Sequence, residues 1–245
     1  MEKEEYKVMY QIEDSYWWYV GLRKLVFSSI DKFASKERNL KILDAGCGTG
    51  KTLESCKAYD ASGLDFSEEA IQFCQKRGLN NIVQGSICNI PFSDNSFDVV
   101  ISLDVLYHAN VYSDLKALQE FYRVVNKNGI VVLNVPAYNF LRGRHDIAVH
   151  TRRRYTCKEL LVKIEKAGFS IEKLTYRNTV LFPAAFIKRI LEMFFMSAEH
   201  IESDLKPLPG VFNKILTGVL SIENFLIMSG IRFPFGLSVF CIARK

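Results

Sequence analysis

The stretch from Leu43 to Thr52 reads LDAGCGTGKT: an acid, Asp44, then glycines at 46, 48 and 50 directly after an apolar run. Glycines so spaced let the backbone turn tightly and approach a ligand where side chains would collide, which is what a nucleotide-type site needs. Two versions of such a site fail on their own requirements. A phosphate-cradling loop fits the ending Gly50-Lys51-Thr52, and VVISLD resembles the apolar strand whose terminal acid holds magnesium, but the pattern needs glycine where Ala45 stands. A dinucleotide loop needs its third glycine at position 51, where Lys51 would force a long side chain between helix and strand.

Other residues could do chemistry beside such a loop. His108 ends the run FDVVISLDVLYH, and His145 and His150 follow later; a neutral imidazole there is a candidate base for an acceptor's proton. The segment DIAVHTRRRYT sets Arg152, Arg153, Arg154 and Tyr155 in a row, with Arg142 and Arg144 upstream. Forked guanidinium pairs would clamp a carboxylate or phosphate. A solvated charge run is the plain alternative. Near the start, Tyr16, Trp17, Trp18 and Tyr19 precede Arg23. Aromatics with one polar atom each suit a lid that keeps water off bound ligands, and equally suit a helix packed on a sheet.

These residues need elements to position them. KILDAGCGTG, ASGLDFS, NNIVQGS, FDVVISLDVLYH and GIVVLNVP read as buried strands, with helical stretches such as Asp114 to Val125 and Lys158 to Ala167 between them. That alternation predicts an α/β, doubly wound sheet. FSIEKLTYRN and GLSVFCIARK predict two more strands. Between them apolar residues recur at helical spacing, at Phe186, Ile187, Ile190, Leu191 and Phe194, then at Phe212, Ile215, Leu216, Val219, Ile222 and Leu226. The expected division is residues 1–36 as an aromatic helical lid segment, 37–180 as the ligand-binding core, 181–235 as a helical insertion or cap, and 236–245 as the final core strand.

A composition of 49% hydrophobic and 24% charged residues excludes wholesale disorder. The net charge of +5 with one dense cluster argues against nucleic acid as partner, which would favour a broad basic stripe. Six cysteines without a CxxC pair or suitable histidine spacing offer no metal site and read as reduced cytosolic thiols. MEKEEYKVMY is charged where a secretion signal would be apolar. Lys188, Arg189, Glu192, Lys214 and Glu223 break the region Val180 to Phe240 short of the ~18 apolar residues a spanning helix wants. The expectation is a cytoplasmic protein, with peripheral membrane contact through the apolar insertion.

LDAGCGTG resembles the first motif of class I S-adenosylmethionine-dependent methyltransferases, and GSICNIPFSDNSFDVVISLDVLYH resembles the stretch that follows it in that family, most nearly in the broad group that includes quinone-biosynthesis methyltransferases. The resemblance implies a seven-stranded Rossmann-like sheet with an antiparallel last strand, S-adenosyl-L-methionine as cofactor and S-adenosyl-L-homocysteine as product. It puts Asp44, Gly46, Gly48 and Gly50 around the cofactor's amino-acid portion, Asp65 on the ribose diol and Phe66 over the adenine, with Ser86, Ile87 and Leu103 completing the set. Ser86 stands where an Asp is usual. YWW-G-R resembles the N-terminal segment of a subgroup acting near lipid-linked sugar or polyprenyl pathways, with Leu22 replacing a basic residue and Arg23 retained. Tyr16, Trp17, Trp18, Arg23, Arg152, Arg153, Arg154 and Tyr155 are then expected on the acceptor, a small or amphiphilic, lipid-like anionic molecule methylated by direct in-line transfer. A non-catalytic binding module on the same fold, an RNA methyltransferase and, less favoured, a P-loop-like nucleotide enzyme are the alternatives.

Overall fold

The computed structural model describes residues 1–34, 39–195 and 208–245. The boundary expected near residue 36, and the part of the expected insertion from 196 to 207 with Lys206, lie outside the described residues, as does the side chain of Phe194. Two helices, α1 (Lys3–Ile12) and α2 (Trp17–Phe33), lead into alternating strands and helices: β1 (Lys41–Ala45), α3 (Lys51–Ser55), β2 (Asp60–Asp65), α4 (Glu68–Lys76), β3 (Ile82–Gln84), β4 (Phe97–Leu103), α5 (Asp114–Val124) and β5 (Val125–Pro136). A short helix α6 (Arg144–Ala148) interrupts the arginine-rich loop, and α7 (Cys157–Lys166), β6 (Ser170–Arg177), α8 (Phe182–Phe195), α9 (Gly210–Met228) and β7 (Ser238–Arg244) follow.

The strands form one sheet in the order β3-β2-β1-β4-β5-β7-β6. β1 to β5 run parallel, and β7 pairs antiparallel with both neighbours, Val132 facing Ile242 and Leu174 facing Cys241. Successive strand residues point to opposite faces, so the central strands are apolar on both. Leu43, Val100, Val131 and Leu133 pack with Leu118, Phe121, Leu160 and Ile164 from α5 and α7. Ile42, Val99, Ile101, Ile130 and Val132 pack on the other face with Leu25, Val26 and Ile30 of α2 and Ile227 of α9.

Local chemistry sets the helix starts. Thr156 and Glu159 form a reciprocal capping box on α7, and Ser67 and Ser113 cap α4 and α5. α2 has no such side chain of its own. The Trp17 N–H donates to Asn213 Oδ1 of α9 at 2.8 Å, and Asn213 Nδ2 donates to the Ser15 carbonyl at 2.7 Å. A neighbouring helix therefore satisfies an N–H that a helix start leaves open. Gly21 allows this approach, since a Cβ there would lie 2.6 Å from Leu220 Cδ1 of α9.

The sequence predicts that charges interrupt the apolar region before β7, yet α9 is long and apolar enough by length and composition to cross a membrane. Lys214 and Glu223 are its only two charges, too few to break it by that measure, and Glu223 turns inward to accept from the N–H groups of Asn178 and Thr179. Asn224 Nδ2 donates to the Gly21 carbonyl at 2.7 Å, so one side of α9 is bound to the rest of the fold.

The loop from Gly85 to Phe97, which carries Ser86 and Ile87, is held by one pair on α5. Glu120 accepts from the Ile90 N–H at 2.9 Å, and Arg123 donates to the carbonyls of Ile90 and Phe92 while pairing with Glu120 at 2.8 Å. Hydrogen bonding from Arg123 is the main cause that holds the Glu120 carboxyl down at about 2. A carboxylate held below its unfolded value stabilises the fold above that value and loses the contribution as pH falls through the folded one. Glu120→Ala should cost about 2 kcal/mol or more in urea unfolding at pH 7, by leaving the Ile90 N–H and Arg123 without their acceptor. The difference from wild type should shrink as pH drops from about 4.5 towards 2.

Candidate active site

A cavity of about 860 Å³ opens at the carboxyl ends of β1, β2, β4 and β5, where a doubly wound sheet binds its ligands. Its floor is the glycine ribbon after β1. Gly46, Gly48 and Gly50 have φ of +92°, +54° and +85°, a region that favours glycine. The Gly46 and Cys47 N–H groups donate to the Leu64 carbonyl at 2.7 and 3.0 Å. A Cβ at Gly46 would lie 2.3 Å from Val105 Cγ2, so only glycine lets the loop after β4 close on the ribbon.

Asp65, at the end of β2, accepts from the Gly48 N–H at 2.8 Å through one oxygen and from the Ser67 N–H at 2.9 Å through the other. Burial raises its carboxyl and these donors restrain the rise. Each oxygen keeps a lone pair for a further donor. Asp44, buried and on the cavity wall, has no hydrogen-bond partner among the described residues; burial first, then the charges of Asp65 and Glu13, push its carboxyl up to about 7. An unpartnered carboxylate beside a bare backbone ribbon suits an ammonium group, and Asp65 suits a diol, so these residues fit an amino-acid-bearing nucleoside.

The structure brings Asp44, Gly46, Gly48, Asp65, Phe66, Ser86, Ile87 and Leu103 onto this one cavity. Gly50 is absent from its wall; it sits where a Cβ would meet Leu79 and Cys74, so its role is to let α3 and α4 pack. Tyr16, Trp17, Trp18, Arg23, His108, His145, His150 and Arg154 also line the cavity. Trp17 and Trp18 lie in the first turn of α2, not ahead of a helix. The helix α1, which aromatic patterning did not reveal, lies over the ribbon with Met9 near Gly48, while Glu13 accepts from Arg77 at 2.7 Å and from Thr49.

Three sequence expectations need correction. His108 is a poor base: burial, then the nearby N-terminal amine and His150, lower it to about 4. Its Nε2 lies 2.8 Å from the Met1 amine, and its Nδ1 takes the Asn110 N–H at 3.1 Å. Arg153 and Arg154 are not open clamps. Arg154 forks onto Asp146 at 2.8 and 3.0 Å, Arg153 pairs with Asp114, and Arg152 donates to the Tyr112 carbonyl. Tyr155 is a core side chain, 1% exposed, donating to the Leu106 carbonyl or to Asp114. Arg152, Arg153 and Tyr155 lie off the main cavity, around a separate hollow of about 420 Å³.

Sequence reasoning noticed Asp104 only as the acid of a magnesium-holding strand. It lies one residue beyond β4 with φ of +56°, on the cavity wall, and Asn134 Nδ2 donates to one of its oxygens at 2.9 Å. The other has no hydrogen-bond donor among the described residues. Burial raises its carboxyl to about 6 against the opposing pull of Asn134, Arg177 and Arg154. The signal in sequence was an acid at the carboxyl end of a central strand.

Fold and site together define a class I S-adenosylmethionine-dependent methyltransferase. Residues 43–133 match the methyltransferase domain family model. An uncharacterized protein of Methanocaldococcus jannaschii is 29% identical over 170 residues, 67% of this chain and 70% of that protein. The probable tRNA methyltransferase 9B of Homo sapiens is 26% identical over 174 residues, 69% of this chain but only 37% of the longer human protein. Among solved structures, an S-adenosylmethionine-dependent methyltransferase of Thermotoga maritima superposes with a TM-score of 0.61 at 18% identity, covering 99% of this chain and 95% of that one.

Replacing Asp65 by Ala should weaken S-adenosylhomocysteine binding by about 10- to 100-fold in calorimetric titration, the loss expected for charge-assisted hydrogen bonds. Unchanged affinity would remove Asp65 from the cofactor site.

Proposed function

We propose that the protein methylates an amphiphilic acceptor with an acidic head, held in the part of the cavity away from the glycine ribbon. The observation that carries this reading is the mixed lining of the cavity: Trp17, Trp18 and Leu22 from α2 and Ala185 from α8 offer apolar and aromatic surface, and Arg23 and Lys188 also line it. Such a chamber suits an apolar body with a few fixed polar contacts. When bound, S-adenosylmethionine supplies a methyl group on a positively charged sulfur, already electrophilic, so the chain's own task is positioning.

In this reading Asp44 holds the cofactor's ammonium, Asp65 its ribose hydroxyls, and Phe66, Ser86, Ile87 and Leu103 flank its base. The aromatics of α2 and the helix α1 keep water from the reacting atoms. Asp104 receives the proton that an acceptor hydroxyl or amine gives up as its oxygen or nitrogen bonds to carbon and the carbon–sulfur bond breaks. A carboxylate near 6 is mostly ionised at neutral pH, yet retains basicity close to that needed for proton transfer. Asn134 fixes one of its oxygens, leaving the other for the acceptor.

RNA is the second reading, and the name of the human relative is the observation that favours it. Methyl-labelled S-adenosylmethionine offered with a lipid extract and, separately, with RNA tells the two apart by where the label goes. Label entering the organic phase supports the amphiphilic acceptor; label confined to RNA replaces it. With lipid as acceptor, the rate should rise with pH through about 6 and then level, because the ionised form of Asp104 is the active one. Asp104→Asn should lower the rate about 100-fold or more and abolish that rise. It should leave S-adenosylhomocysteine affinity near wild type, whereas an intact profile would exclude Asp104 as the base.

A further inference from the structure

The outer face of α9 carries a row of apolar side chains that no described part of the chain covers, and α8 exposes apolar side chains of its own. On α9 Val211, Ile215, Ile222 and Phe225 share one row, and Val211, Ile222 and Phe225 keep 69%, 65% and 70% of their surface exposed. Gly218 falls in the same row, where an added Cβ would meet nothing within 4 Å. Phe212 flanks the row, and Ile187 and Leu191 on α8 are likewise exposed. An apolar patch of this extent on a folded chain marks a contact surface.

Its chemistry narrows the occupant. The other side of α9 is engaged, with Leu220, Glu223, Asn224 and Ile227 buried, so the helix lies along the protein and cannot pass through a bilayer without tearing from α2. On α9 Lys214 is exposed, and Glu223, the one acid of that helix, is buried. A second copy of the chain would bring like charges together across a two-fold interface, whereas an anionic surface complements them.

We propose that α9 seats the protein on an anionic lipid bilayer, lying in the plane of the interface with its apolar row among the upper acyl chains. The proposal goes beyond the methyl-transfer reading and stands without it, because docking is measured with no acceptor and no turnover.

The test is flotation of the full chain with vesicles of phosphatidylcholine and phosphatidylglycerol in equal parts, against phosphatidylcholine alone. The protein should rise with the anionic vesicles, and raised salt should weaken that binding. The double substitution Ile215→Ser with Phe225→Ser should lower the bound fraction about tenfold or more, because it removes two large apolar groups from the contact. Both side chains are exposed, so the melting temperature and S-adenosylhomocysteine affinity should hold; their retention separates lost docking from a lost fold or cofactor site. Lys214→Glu should reduce binding to the anionic vesicles only. Protein left at the bottom of both gradients would overturn the proposal. So would a dimer in light scattering that the double substitution abolishes while flotation is unaffected, since the row would then be a contact between copies.

Discussion

A single buried carboxylate ties the site together: Asp65 takes one backbone N–H from the glycine ribbon after β1 and another from the start of α4. An ionised carboxyl out of water is costly unless it is hydrogen-bonded, and here backbone groups do it. The contact fixes the ribbon's path relative to β2, and hence the distance between the wall carrying Asp44 and the rim carrying Phe66. It depends in turn on Gly46. Without a Cβ, the ribbon lies against Val105, which brings Asp104 and the loop after β4 onto the same cavity. Four strand ends are thereby drawn around one ligand position.

That much was legible in sequence because it is local. Alternating glycines, an acid at each of two strand ends and short continuous apolar runs are all short-range signals, and they pointed to the strands and to one set of residues on the cavity. The arginines were not legible for a matching reason. Arg153 finds Asp114 39 residues away, and the partner of Arg154, Asp146, comes into reach only through the short helix α6. A charge run looks open until the fold supplies its counter-charges. His108 misled similarly, since the loop after β4 does bring it to the cavity, but burial and neighbours lower its basicity.

The N-terminal helices and α9 show a further limit. The start of α2 is capped by Asn213, nearly 200 residues later, and α9 is held by Gly21 and by the N–H groups that follow β6. Nothing near Trp17 in the sequence announces that cap. Composition marked α9 as apolar with two interrupting charges, but not that Glu223 points inward and Lys214 outward. That difference turns a broken apolar segment into a helix with one bonded face and one apolar face.

Asp104 shows how strain can point to chemistry where a motif does not. Its backbone lies at φ of +56°, a conformation that Asp tolerates better than most residues but which still costs free energy. Asn134 on β5 holds it twice: the Asp104 N–H donates to the Asn134 carbonyl at 2.8 Å, and Asn134 Nδ2 donates back to the carboxylate at 2.9 Å. The backbone bond continues the β4–β5 ladder, and the side-chain bond is what fixes the carboxylate. The doubled hold sets a carboxylate on the cavity wall with one oxygen engaged and the other without a donor among the described residues. Desolvation raises its proton affinity at the place where an acceptor must lose a proton.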